Sequence, residues 1–316
     1  MEADRRSLLI GLAGGFAAPA FAQVAIDPAE EIELWPGAPP GQPAVALQER
    51  VEERSKDPLI RDRALLNVAR PRMTVFRPAS PNGAAVLITP GGGYKWVVID
   101  KEGFELGRWL ANRGFTVFVL FYRLPGQGWA AGPNVALADA QRAMRLIRHR
   151  AREFGIDPKR VTSLGFSAGG HVCADLATRF AESVYEPVDA ADRLSARPDL
   201  AAPIYPVVSM SAPLAHPGSR SQLVGEHASP QRERAHAPHL NVTVNTPPCF
   251  LLHAEDDAVV PVGNTLLLRE ALKAGSVRVD THLYAEGGHG FGLRFTKGKP
   301  VEAWPHALAA WLDFAR

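Results

Sequence analysis

Short apolar runs alternate with longer amphipathic stretches along most of this chain. The runs at 74–76, 86–89, 116–122, 160–164 and 249–253 are strand-like, and the stretch 278–284 alternates with the period of two that a strand imposes. Between them, helical spacing predicts helices over 102–112 and 134–154, over 171–177, from about Val262, and over 304–314. Strands separated by helices cross over and pair in parallel. The pattern therefore predicts an α/β fold, a mostly parallel central sheet with helices on both faces.

Two segments break the alternation. Prolines crowd residues 36–43 and charges follow to about Arg70, so 23–70 reads as an N-terminal extension and 71–316 as the catalytic domain. Within that domain, residues 213–246 are rich in Pro, Ser, His and Arg and hold no steady period. They read as a short polar excursion over the site, not as a second domain. At 316 residues the length alone allows two domains, yet α/β enzymes often run this long as one.

The first 22 residues read as a signal peptide. Arg5 and Arg6 precede the apolar stretch Leu8 to Ala18, and Ala20-Phe21-Ala22 supplies a small-residue cleavage site before Gln23. The paired arginines match the twin-arginine variant, with the general secretory route and an uncleaved anchor as alternatives. The run is shorter than the roughly 20 residues a membrane span needs, and no later segment approaches that length, so a periplasmic or secreted protein, off the membrane after cleavage, is expected.

Composition narrows the partners. A net charge of +2 argues for neither nucleic acid nor an anionic membrane. Arg142, Arg145, Arg148, Arg150 and Arg152 spread around the predicted helix 134–154 and read as a solvated surface. Cys173 and Cys249 are the only cysteines and read as buried small hydrophobes, although an exported compartment permits a disulfide. His236 and His239 have a spacing that suits a metal on a helix, but no acidic or cysteine ligand completes a set and Pro238 opposes the helix. His216, His227, His236 and His239 are therefore expected as solvated residues of the excursion, with no metal and no cofactor.

Candidate chemistry begins at Gly165-Phe166-Ser167-Ala168-Gly169, a G-x-S-x-G pentapeptide between a strand and a helix. The glycines at minus two and plus two suit a sharp turn that crowds neighbouring backbone and lifts a serine hydroxyl clear. A serine needs a base, and the base an orienting carboxylate. Both follow, each beyond a strand. Glu255-Asp256-Asp257 comes after the apolar run at 249–253, and His289 lies in the loop Gly287-Gly288-His289-Gly290 after the strand 278–284. Asp257 is the preferred carboxylate. Asp256 is the alternative, or caps the helix from about Val262, and Glu255 reads as solvated. Upstream, the strand 86–89 runs into Pro90-Gly91-Gly92-Gly93-Tyr94, a loop able to aim N–H groups at an oxyanion together with the N–H of Ala168. Tyr94 and Trp96 beside it are candidates to line an acyl or sugar pocket, with core packing the alternative for Trp96.

These motifs, with Leu34-Trp35-Pro36-Gly37, Ser195-Ala196-Arg197-Pro198-Asp199, Ile204-Tyr205-Pro206-Val207 and the segment Asp256 to Val262, span nearly the whole chain after the leader. Together they resemble the acetyl-esterase branch of the α/β-hydrolase superfamily, which includes acetylxylan esterase-like proteins. The resemblance implies an α/β-hydrolase fold with Ser167 as nucleophile, Asp257 as acid, His289 as base and Gly92, Gly93 and Ala168 as oxyanion donors. It also implies an esterase that releases short acyl groups, acetyl above all, from carbohydrates. Pro90 departs from the pattern. It stands where many related esterases carry histidine, which keeps the backbone donors and loses that histidine's hydrogen bonds. The rival readings are a broad carboxylesterase for small aryl or alkyl esters and a non-catalytic binding protein on a hydrolase scaffold.

Overall fold

The computed structural model describes residues 30–314. The expected signal peptide, with Arg5, Arg6 and the expected cleavage site before Gln23, lies outside them. The strands are β1 (Glu30–Glu33), β2 (Arg50–Glu53), β3 (Arg63–Leu66), β4 (Arg72–Phe76), β5 (Ala85–Thr89), β6 (Val97–Val98), β7 (Thr116–Phe121), β8 (Val161–Phe166), β9 (Leu200–Ile204), β10 (Cys249–Ala254) and β11 (Val279–Tyr284). The α-helices are α1 (Glu105–Ala111), α2 (Val135–His149), α3 (Ala151–Phe154), α4 (Ser167–Arg179), α5 (Pro217–Val224), α6 (Pro230–Ala235), α7 (Gly263–Ala274) and α8 (Trp304–Phe314).

Eight strands form one sheet in the order β1-β4-β7-β5-β8-β9-β10-β11. From β7 to β11 every pairing is parallel, whereas β1 and β4 add antiparallel at one edge. Strands β5, β7, β8, β9 and β10 are buried along their whole length, as their continuous apolar runs require. Side chains alternate between faces: Leu87 and Phe118 join a core with helices α2 and α4, while Val86, Ile88, Val117 and Val119 join one with α1 and α8. Helices thus cover both faces.

Several expectations need correction. Residues 30–70 are integral to the fold: β1 pairs with β4, Trp35 is buried, and β2 and β3 form a second antiparallel sheet with β6. The predicted helix 102–112 opens with a π-helical turn at Asp100–Phe104 before α1. The predicted helix 134–154 breaks at Arg150, whose φ of −97° and ψ of 14° leave the helical region. Arg152 is exposed as expected, but Arg142 and Arg148 are not part of a solvated face. Arg142 is 2% exposed, donating to Leu34 O at 2.8 Å and pairing with Asp192 at 3.0 Å. Arg148 donates to Asp199 at 2.9 Å. A buried guanidinium needs such partners, and the segment 186–199, folded over α2, supplies the carboxylates. Cys173 and Cys249 are free and buried, and burial pushes the Cys173 thiol up to about 12.

Candidate active site

The connections that leave β5, β8, β10 and β11 converge at the C-terminal edge of the parallel strands, where open α/β sheets place their chemistry. At the end of β8, Phe166 is extended (φ −118°, ψ 132°), and Ser167 then turns into the left-handed region at φ 54° and opens α4. That turn is tolerable only between glycines. A Cβ on Gly165 would stand 2.1 Å from Gly169 O, and one on Gly169 would stand 2.1 Å from Thr89 O. Both distances are impossible contacts, so the pentapeptide is sterically dictated.

After β5 the chain folds back on itself: the N–H of Lys95 donates to Gly92 O at 3.0 Å, and a Cβ on Gly92 would stand 2.1 Å from Trp96 O. Gly92 and Gly93 both take positive φ, 134° and 63°. Among the described residues their N–H groups meet no acceptor. The N–H of Ala168 is likewise a first-turn donor with no partner one turn back.

The other two side chains meet Ser167 from farther along the chain. Ser167 Oγ lies 2.8 Å from His289 Nε2, and His289 Nδ1 lies 2.6 Å from Asp257 Oδ2. Asp257 Oδ1 accepts the N–H groups of Val259 and Val260 at 2.9 Å each. His253 Nε2 donates to Val260 O at 2.9 Å and approaches Asp257 Oδ2 at 3.2 Å. Burial alone would push the Asp257 carboxyl up, but the hydrogen bonds from His253 and His289 outweigh it and hold the group well below the usual carboxylate range. Asp256 has a different task. Its Oδ1 accepts from Gly287 N at 2.9 Å and Gly288 N at 2.7 Å, which ties down the loop that carries His289. It caps no helix, and Glu255 is exposed.

Trp96 lines the cavity at Ser167, whereas Tyr94 does not. With φ at 62°, the Tyr94 ring turns into the core and its hydroxyl meets His171 Nδ1 at 2.7 Å. His171 Nε2 in turn donates to His236 O at 2.8 Å. His236 is therefore buried, not solvated, and its Nδ1 faces Arg179 at 3.3 Å. His216 also leaves solvent and lines the cavity, while His227 stays exposed.

Sequence reasoning passed over Glu102, Tyr205 and His253. Glu102 is 3% exposed and accepts from Gly91 N at 2.9 Å and from the Tyr205 hydroxyl at 3.0 Å. The Tyr205 ring lies 5.2 Å from that of His289, and its hydroxyl accepts from Gly292 N at 3.3 Å. One buried carboxylate thus braces the oxyanion loop and, through Tyr205, the histidine loop. An acid inside an amphipathic pattern gives no local signal of such a role.

The cavity holds about 300 Å³ and is lined by Arg54, Gly92, Gly93, Lys95, Trp96, Val98, Lys101, Glu102, Ser167, His216, Gly218, Val259, His289 and Gly290. Arg54 comes from the segment read as an extension and contributes part of the wall.

The BD-FAE family model matches residues 73–272. An acetylxylan esterase of Xylanibacter ruminicola is 30% identical over 234 residues, 70% of this chain and 44% of that one. Endo-1,4-beta-xylanase B of Butyrivibrio fibrisolvens is 34% identical over 205 residues, 65% of this chain and 32% of that one. The chain thus spans less than half the length of these curated relatives. Among solved structures, an acetyl ester-xyloside bifunctional hydrolase from Caldicellulosiruptor lactoaceticus superposes with a TM-score of 0.73 at 32% identity, covering 91% of this chain and 97% of that one. An esterase from Thermogutta terrifontis, 22% identical with a TM-score of 0.61 over 85% of this chain and 94% of its own, shares the fold.

Proposed function

Because the chain belongs to the BD-FAE family and has the α/β-hydrolase fold, we propose that it is a serine esterase that removes short acyl groups, acetyl foremost, from carbohydrates. The observation that carries this reading is the pair of hydrogen bonds from Ser167 through His289 to Asp257, at 2.8 and 2.6 Å. With its Nδ1 proton directed at Asp257, the neutral His289 ring turns the Nε2 lone pair to the serine hydroxyl. His289 takes that proton as Ser167 Oγ attacks the ester carbonyl carbon. Negative charge gathers on the carbonyl oxygen, and the unpaired N–H groups of Gly92, Gly93 and Ala168 are the donors suited to meet it. Asp257 stays ionised and stabilises the imidazolium. His289 then protonates the leaving alcohol, and a water activated by the same nitrogen cleaves the acyl-enzyme to release the acid and restore Ser167.

The carbohydrate part of the reading is supported by the relatives, one an acetylxylan esterase and one an acetyl ester-xyloside hydrolase. The short acyl group suits a cavity of about 300 Å³ whose large apolar side chains are Trp96, Val98 and Val259, too few to line a long acyl channel. The leader sequence supports action outside the cytoplasm. A fluorophosphonate should label Ser167, and acetate should be released from acetylated xylo-oligosaccharides. In Ser167→Ala both should vanish, with turnover lower by about 10³–10⁶. Labelling without any acetate release from saccharides would replace the carbohydrate reading by a broad carboxylesterase.

A further inference from the structure

The polar excursion sends one side chain into the cavity that holds Ser167 and His289, and it is His216. His216 is the N-cap of α5. Its Nδ1 accepts the backbone N–H of Ser219 at 3.2 Å and faces the Ser219 hydroxyl at 2.8 Å. A ring nitrogen that accepts an N–H bond carries no proton, so the neutral ring must hold its proton on Nε2. The helix cap therefore selects the tautomer. Burial, reinforced by His289 and Lys95, pushes His216 below the usual histidine range, which keeps the ring neutral near pH 7.

The Nε2 proton has no acceptor among the described residues. Gly218 flanks this edge of the ring: a Cβ there would stand 3.3 Å from Cε1 and 3.8 Å from Nε2. Cε1 also lies 4.0 Å from where a Cβ on Gly93 would be, so the ring borders the oxyanion loop. The cavity's other side-chain donors include Arg54, Lys95 and Lys101, which are long and charged. His216 is short, neutral and held by its cap. Precisely placed polar groups of this kind fix a ligand's orientation.

We propose that His216 Nε2–H is the specificity-determining donor for the alcohol half of the ester, binding a hydroxyl or ether oxygen close to the scissile bond. The assignment follows from counting acceptors. An acetyl group offers only its carbonyl oxygen, which Gly92, Gly93 and Ala168 serve, so the remaining acceptors lie on the alcohol. The residue thereby favours acylated sugars over esters of plain alcohols. This inference rests on the esterase reading.

The test compares kcat/KM for a mono-acetylated methyl β-xyloside with kcat/KM for cyclohexyl acetate, which has the same acyl group and a ring without oxygens. His216→Asn keeps an N-cap acceptor and removes the donor that reaches the cavity. His216→Ser does the same and serves as the second variant. The wild type should prefer the xyloside, and each variant should lower the xyloside-to-cyclohexyl ratio about tenfold, the scale of one neutral hydrogen bond. An unchanged ratio in folded variants, or no wild-type preference, overturns the proposal. Loss of p-nitrophenyl acetate turnover and of fluorophosphonate labelling in the wild type would instead refute the esterase reading beneath it.

Discussion

Asp257 Oδ2 sits 2.6 Å from His289 Nδ1, while the adjacent Asp256 grips the backbone of Gly287 and Gly288. Two neighbouring carboxylates thus hold one histidine loop by different ends, one through the ring and one through the main chain. Asp257→Asn should cost about 10²–10⁴ in turnover, the scale for neutralising a triad carboxylate. Asp256→Asn keeps the Oδ1 acceptor for both glycines and should cost far less. Steady-state kinetics on p-nitrophenyl acetate give the ranking, and the reverse order would move the acid by one residue.

The depressed Asp257 carboxyl also ties stability to pH. An aspartate in the unfolded chain titrates near pH 3.9, so below about pH 4 the unfolded state binds the proton first and gains on the native state. The contribution is complete above about pH 4 and is lost as pH falls towards the folded value. Melting temperatures between about pH 5 and about pH 3 should therefore fall more steeply for the wild type than for Asp257→Asn. Parallel slopes would mean that Asp257 carries no such shift.

Tyr94 supports the core, not the pocket. Its hydroxyl is the partner of His171 Nδ1 at 2.7 Å, deep behind the oxyanion loop. Tyr94→Phe leaves that nitrogen buried without a donor and should destabilise the protein by about 1–3 kcal/mol in urea denaturation. The KM for short esters should change little. A raised KM with unchanged stability would return the ring to the pocket.

Acyl length should be read by the cavity. Each buried methylene is worth about 0.8 kcal/mol of binding where an apolar channel receives it. Here Trp96, Val98 and Val259 are the large apolar residues in a lining otherwise of glycines and polar side chains. We expect kcat/KM to fall from p-nitrophenyl acetate through butyrate to octanoate. A preference for octanoate would contradict the short-acyl reading.

The leader expected from the sequence can be tested by its processing. Mass spectrometry of the exported protein should find Gln23 as the first residue, because Ala20 and Ala22 occupy the positions a signal peptidase reads. Replacing Arg5 and Arg6 by lysines should block export by the twin-arginine route. Unchanged export would indicate the general secretory route, and an uncut terminus an anchor.

Much of the fold was legible because its signals are local. The continuous apolar runs of β5, β7 and β10 are short and suit strands buried on both faces, and the order of strands and helices leaves a parallel sheet as their solution. The elbow was legible through its glycines, although only part of their reason is local: Gly165 clears Gly169 O within the turn, whereas Gly169 clears Thr89 O and Pro90 O, which come from β5 and the loop after it. The sequence also put a histidine and an acidic pair just beyond two strand ends.

Tertiary structure decided what depends on residues distant in the chain. Which acid faces His289 turns on a loop some thirty residues away, and neither Asp256 nor Asp257 differs in local pattern. Arg142 reads as solvated until Leu34 and the segment 186–199 close over it. Tyr94 points to the core because of the backbone twist its loop adopts, and Glu102 becomes a brace only when Gly91 and Tyr205 arrive. Hydrophobic period records whether a face is buried. It does not record which polar group waits on the other side, because that partner is brought by the packing of other elements.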